Sequence, residues 1–166
     1  LRDRYPHGAW NQWPRDLARR QPQALARVRQ ELGAALDVSR VTQFAFFEQW
    51  RALHQAARRR GIRVIGDVAI FVDYDSADVW THPDLFQLDD DLNPTVVAGV
   101  PPDAYSSIGQ RWGNPIYRWD VLQARGYDWW VQRMRWALEL CDNLRLDHFR
   151  GFESYWEIPA HEPTAI

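Results

Sequence analysis

Two short apolar segments, each preceded by an amphipathic helical pattern and each closing on an aspartate, constrain the fold of this 166-residue chain more than any other feature. In Asn143-Leu-Arg-Leu-Asp147, Arg145 and Asp147 sit two apart, and strand side chains alternate between faces. The pair therefore projects together at the strand's C-terminal end, where the guanidinium would hold the carboxylate ionised. The other segment, Ile62-Arg-Val-Ile-Gly66, is β-rich and ends at Asp67, with Val68 to Val72 continuing in an extended, apolar way. A helix from about Val41 to Arg60 precedes the first strand, and one from about Asp128 to Cys141 precedes the second. The order helix, strand, long loop, helix, strand implies α/β architecture, with parallel strands joined by a crossover helix. Two carboxylates on the same edge of a parallel sheet can converge on one pocket. A closed eight-stranded barrel takes about 200 residues or more, so the expectation is a partial (β/α)8 barrel, with residues 1–166 as one incomplete catalytic unit.

The remaining organisation is read from periodicity and punctuation. Pro22 opens a helical pattern through Leu25, Val28, Arg29 and Leu32, whose end Gly33 and Asp37 blur. The stronger helix presents Phe44, Phe47, Trp50 or Arg51, and Leu53 or His54 on one face, with Gly61 as its stop. From 73 to 119 regular periodicity fades into Pro, Asn, Asp, Gly and aromatics, which predicts a long functional excursion. Within it, Leu85-Phe-Gln-Leu88 and Thr95-Val-Val-Ala98 flank a polar Asp89 to Asn93 turn, the pattern of a small hairpin.

Composition removes several function classes. The net charge is −2, and the basic residues are dispersed among acidic ones, so no nucleic-acid partner is expected. All 20 basic residues are arginine, which excludes a lysine Schiff base within this segment. The single Cys141 rules out an internal disulfide, fits a reducing compartment, and sits where a helix face would bury it. No signal peptide or membrane-length apolar run is recognisable, and a soluble, cytoplasmic protein is the expectation. Six of the ten tryptophans, Trp10, Trp13, Trp80, Trp112, Trp119 and Trp156, lie near Pro, Gly or Asn, where a ring is less readily buried on all sides. Such flat faces beside polar groups suit sugar rings; ordinary packing is the alternative.

Six motifs in order then resemble one family. They are Gly66-Asp-Val-Ala-Ile-Phe-Val72, Asp75-Ser-Ala-Asp-Val-Trp80, Gly99-Val-Pro-Pro-Asp103, Gly109-Gln-Arg-Trp-Gly-Asn-Pro115, Arg145-Leu-Asp-His-Phe-Arg-Gly151 and Tyr155-Trp-Glu-Ile-Pro-Ala160. Together they resemble the 4-alpha-glucanotransferases, also called amylomaltases or disproportionating enzymes. The resemblance implies a (β/α)8 barrel of the α-amylase clan with inserted subdomains and no metal or organic cofactor. It implies donors and acceptors that are α-1,4-glucans or maltooligosaccharides, while the lack of a membrane-length apolar run sets the expectation of no membrane partner.

By that resemblance Asp147 is the catalytic nucleophile of a retaining mechanism and Arg145 keeps it charged and oriented. An N-cap for the following helix is the alternative for Asp147. His148 would bond the sugar at the cleavage site, or serve as a structural histidine. Asp67 would support the substrate-binding edge, or cap the loop that follows. The stretch Gly99 to Pro115 resembles the loop over the acceptor side, where Trp112 would stack on a glucose ring while Gln110 and Asp103 bond its hydroxyls. The family often carries two aromatics after Pro-Pro-Asp; Ala104 replaces the first here, and Tyr105 holds the second. Val68-Ala69 replaces the commoner Ile-Pro.

The family's acid/base glutamate is expected downstream of Ala165 and its stabilising aspartate farther on; Glu153, Glu157 and Glu162 do not match the acid/base motif. The isolated segment is therefore expected to be inactive, and its open strand edges to favour self-association. Rival readings are an α-glucan hydrolase of the same clan and a non-catalytic carbohydrate-binding module, the latter leaving the Arg145 and Asp147 pair unexplained. Asp89-Asp-Asp-Leu-Asn93 begins like a calcium loop but lacks the Gly at its turn, and Val100 stands where a bidentate Glu is needed. The five histidines have no zinc spacing.

Overall fold

The computed structural model describes residues Leu1–Ile166, which form two compact units. The first is built from Leu1–Arg19, Ala69–Asp128 and Asp147–Ile166, the second from Arg20–Val68 and Trp129–Leu146. In chain order the elements are α1 (Arg15–Ala18), α2 (Pro22–Glu31), α3 (Gly33–Arg59), β1 (Ile65–Ala69), α4 (Ala77–Thr81), β2 (Val96–Val100), β3 (Gln110–Pro115), α5 (Trp119–Ala124), α6 (Asp128–Leu140), β4 (Asn143–Asp147) and β5 (Trp156–Pro159). No helix is long and apolar enough to cross a membrane.

In the second unit α3 is longer than its periodicity predicts, beginning at Gly33 rather than near Val41. Gly33 takes helical angles there; a helical glycine costs about 1 kcal/mol relative to alanine but does not by itself end a helix. Only Leu32 separates α2 from α3, and Leu36 N–H already bonds back to the Leu32 carbonyl at 2.9 Å. The far end stops as expected. Gly61 adopts φ +74°, its N–H bonds to the Arg58 carbonyl, and Ile62 N–H bonds to that of Ala57, the paired closure of a Schellman motif.

The inward stripe of α3 is Phe47, Trp50 and His54, which settles both choices left open by the pattern, while Phe44 and Leu53 face outward. Trp50 donates its indole N–H to the Leu140 carbonyl at 2.9 Å, and Phe47 meets Trp136. Strand β1 starts three residues later than predicted, because Ile62 to Val64 are used in leaving the helix. It pairs with β4, whose bounds match the expectation. Gly66 packs against the segment leading into β4 and against β4 itself: a Cβ there would stand 2.7 Å from Cys141 Sγ and 3.3 Å from Leu144 Cδ1. Cys141, one residue beyond the end of α6 rather than within it, is buried as expected.

The first unit holds a three-stranded antiparallel sheet in the order β3-β2-β5. Val97 faces Pro115 and Ile158 across it, and Val97, Ile158 and Ala165 form a buried cluster. The predicted hairpin shrinks to a single bridge, Leu88 to Pro94, closed by Asp89, whose Oδ1 accepts the N–H groups of Asp91 and Asn93. Its second arm, residues 95–98, instead feeds β2. The excursion thus carries regular structure that local periodicity did not reveal. Beyond β1, Ile70, Phe71 and Val72 are buried under residues of the excursion. Tyr117 O–H donates to the Ile70 carbonyl at 2.8 Å, Asn114 donates to that of Val72 at 2.9 Å, and the Phe71 and Tyr117 rings stack.

Trp10 departs from the expectation of a partly open ring, being only 1% exposed. Its indole N–H reaches the Tyr74 carbonyl at 2.8 Å, and that satisfied polar edge permits full burial. Trp112 and Trp156 keep open faces, as predicted.

Candidate active site

Strand β4 alternates exposed and half-buried positions from Asn143 to Asp147, with Arg145 and Asp147 both on the exposed side. The alternation follows from Leu144 and Leu146 turning inward, which leaves the two charged side chains outward. Within the second unit the Arg145 guanidinium meets a partner the sequence did not suggest: Nη2 lies 3.3 Å from Asp67 Oδ2 on β1. The two side chains are 61% and 56% exposed, so the pair is open to solvent and to a ligand. Asp67 and Arg145, read from separate motifs, are thus neighbours.

In the first unit the chain turns sharply after Asp147. His148 holds a left-handed conformation, φ 51° and ψ 44°, and heads a 3-10 turn over Phe149–Phe152, with Gly151 N–H bonding back to the His148 carbonyl at 2.8 Å. Such angles are sparsely populated by non-glycine residues and gather at functional turns. The imidazole sits edge-on to Trp112, with ring centroids 4.9 Å apart. Trp112 in turn donates its indole N–H to Gln110 Oε1 at 3.1 Å. Three predicted site residues, Gln110, Trp112 and His148, therefore form one chain of contacts. A cavity of about 440 Å³ opens beside it, lined by Pro101, His148, Arg150, Ser154, Tyr155 and Trp156. Burial, followed by the nearby Glu157 carboxylate, pushes the Tyr155 phenol up, so it stays a neutral donor.

Asp103 and Tyr105 lie on the loop between β2 and β3. Asp103 Oδ1 accepts the N–H groups of Tyr105 and Ser106 at 2.8 and 2.9 Å, a local Asx-type turn that shapes the loop. Tyr105 is 96% exposed and projects from it. A larger recess of about 690 Å³, lined in part by Asp89, Tyr117, Trp119 and Asp120, contains none of the predicted site residues. No group of three or more His, Cys, Asp or Glu side chains is placed to hold a metal ion.

Sequence reasoning missed two features. Arg111, between Gln110 and Trp112, donates from Nε to the Glu162 carbonyl and from Nη2 to that of Ala160, both at 2.9 Å, tying β3 to the segment after β5. Its place within a dense polar motif was the available signal. Asp142, just before β4, is the second. Its carboxylate accepts from Val64 N–H, His54 and Arg58, and these donors, the Val64 N–H foremost, hold it well below the usual carboxylate range against the opposing effect of burial.

The β1 and β4 pair with its charged strand end and the β3-β2-β5 sheet define an α/β protein, and the comparisons give its family. The profile of the 4-alpha-glucanotransferase family matches residues 1–166, and the chain belongs to that family. A 4-alpha-glucanotransferase of Thermus thermophilus is 54% identical over 162 residues, covering 96% of this chain and 32% of the relative. One from Streptococcus pneumoniae is 45% identical over 166 residues, covering 99% of this chain and 33% of the relative. Among solved structures, the amylomaltase from Streptococcus agalactiae in complex with acarbose matches with a TM-score of 0.94 at 43% identity, covering 99% of this chain and 33% of that one. The chain spans about a third of the length of the relatives it matches.

Proposed function

We propose that the protein carrying this chain is a 4-alpha-glucanotransferase that moves α-1,4-glucan segments between maltooligosaccharides by a retaining double displacement. The observation that carries this reading is a charged strand end: Arg145 and Asp147 share the exposed side of β4, in a chain whose whole length fits the family. In the first step an Asp147 carboxylate oxygen bonds to the anomeric carbon as the C1–O4 bond breaks. A second carboxyl group protonates the departing oxygen. In the second step the 4-hydroxyl of an acceptor glucan attacks C1, gives its proton to that same group and releases Asp147.

Arg145 supports the ionised, oriented nucleophile, and Asp67 steadies the substrate edge through its ion pair with Arg145. His148 bonds the sugar at the cleavage site, with Trp112 fixing its ring. Trp112, Gln110, Asp103 and Tyr105 serve the acceptor side, where shielding from water would favour transfer over hydrolysis. The wider architecture proposed is an α-amylase-type barrel, with 73–119 as its cleft excursion, in a cytoplasmic protein. Incubating the full-length protein with maltotriose and following products tests this. Longer maltooligosaccharides together with glucose or maltose, at a constant total number of reducing ends, are expected; a rise in reducing ends matching every bond cleaved, at every acceptor concentration, would refute transfer.

A further inference from the structure

Asp142 takes no part in the chemistry proposed above, yet its side chain is only 8% exposed and every contact it makes is with a different segment of the second unit. Oδ2 accepts Val64 N–H at 2.9 Å and meets His54 Nε2 at 2.8 Å, while Oδ1 takes Arg58 Nε. The Asp142 N–H also donates to the Val64 carbonyl at 2.8 Å. Val64 and Asp142 thus clasp each other twice, once through backbone alone and once through the carboxylate. His54 and Arg58 belong to the last turns of α3, which closes at Gly61, so one carboxylate joins the end of a helix, the approach to β1 and the approach to β4.

The spacing beyond this clasp is informative. Three residues on from Val64 is Asp67, and three on from Asp142 is Arg145, the two ends of the 3.3 Å ion pair. The contacts advance in step along both segments, as they do when neighbouring strands run in the same direction. Strand side chains alternate faces, so a slip of one residue would turn Arg145 or Asp67 to the opposite side and abolish the pair. Backbone ladder bonds alone resist a slip weakly, since each register satisfies them. A carboxylate fastened to one particular N–H and anchored to a helix does discriminate.

We propose that Asp142, held by His54 and Arg58, is a positioning residue that sets the β1/β4 register and thereby brings Arg145 onto Asp67 at the reacting face. The proposal rests on the role given above to Arg145. Its effect on transfer passes through the ion pair, which separates it from a general contribution to folding.

The test uses the full-length protein and maltotriose, measuring kcat and KM for D142N, R58Q, D67N and the combinations of the first two with D67N. D142N keeps the side chain's shape and can still accept from Val64, but offers an NH2 to the Arg58 guanidinium or to His54. D142N is expected to lower kcat by about tenfold with KM within about twofold, and R58Q by about threefold. In the D67N background each is expected to cost less than about twofold more, because the route is already cut. A kcat for D142N within twofold of wild type, or losses that multiply with that of D67N, overturns the proposal. Should D142N fail to fold, R58Q and its combination with D67N decide by the same criteria. D147N separates the two claims: retained activity in D147N refutes the glucan-transfer reading itself, whereas an inactive D147N beside an unaffected D142N refutes only the register role.

Discussion

Two acidic clusters in the second unit, seen side by side, show how the same side chain serves opposite ends. Asp142 is nearly enclosed and its oxygens are taken up by a backbone N–H, a histidine and an arginine. Asp67 meets Arg145 across 3.3 Å, with more than half of each side chain open. A saturated, enclosed carboxylate has nothing left for a ligand, and removing it strands its donors. An exposed pair contributes little to stability, commonly below about 1 kcal/mol, and can exchange partners with a bound sugar at small cost. The enclosed Asp142 just before β4 thus serves the fold, while the open Asp67 on β1 is left available for the role proposed above.

That contrast can be broken most forcefully at the reacting end. D147N in the full-length protein is expected to reduce maltotriose disproportionation by more than about a thousandfold while leaving the thermal unfolding midpoint nearly unchanged. R145A should follow, lowering kcat on the order of a hundredfold, again with little loss of stability. A large drop in the unfolding midpoint of either variant would mean that the exposed side of β4 is structural after all.

The enclosed end should behave in reverse. G66A forces a Cβ against Cys141 Sγ and is expected to destabilise by about 1–3 kcal/mol in chemical denaturation, with C141A in the same chain recovering part of the loss. Asp142 adds a pH signature. Its folded-state value is depressed, so its contribution is fully present above the unfolded value near 4 and is lost as pH falls below that toward the lower folded value. The stability difference between wild type and D142N should therefore be flat above about pH 5 and narrow below about pH 4; a difference that widens on acidification would contradict the assignment. The smallest effect belongs to Tyr105. Its exposure predicts that Y105A changes stability by less than about 0.5 kcal/mol while raising the acceptor KM severalfold, read by varying glucose as acceptor.

What the sequence made legible was local. The alternation of β4, the span of α6 and the stop at Gly61 each depend on residues within one or two turns of each other, where periodicity and glycine conformation act directly. The β3-β2-β5 sheet was not legible, because Val96–Val100 pairs with Trp156–Pro159, far along the chain, and neither segment alternates cleanly. Trp10 misled because its neighbours suggest a turn, while the carbonyl that satisfies its indole lies 64 residues away. The grouping of Gln110, Trp112 and His148 was accessible only as separate motifs. Asp142 passed unnoticed since an aspartate before a strand looks like any loop residue; His54 on the same helical stripe as Phe47 and Trp50 was the clue, a polar group on an apolar face that needs a partner.

The base of the Asp103 and Tyr105 loop has a consequence for how such a protein could diversify. Val100 and Gln110 pair across β2 and β3, β2 is flanked on its other side by β5, and Arg111 ties β3 to the Ala160 and Glu162 carbonyls. The stem is therefore held through both strands and the Asp103 and Ser106 bonds shape the turn, whereas the Tyr105 side chain stands exposed at its tip. A substitution of the Tyr105 side chain alone leaves that turn intact, so under the proposed function acceptor preference can drift there without disturbing the framework beneath it.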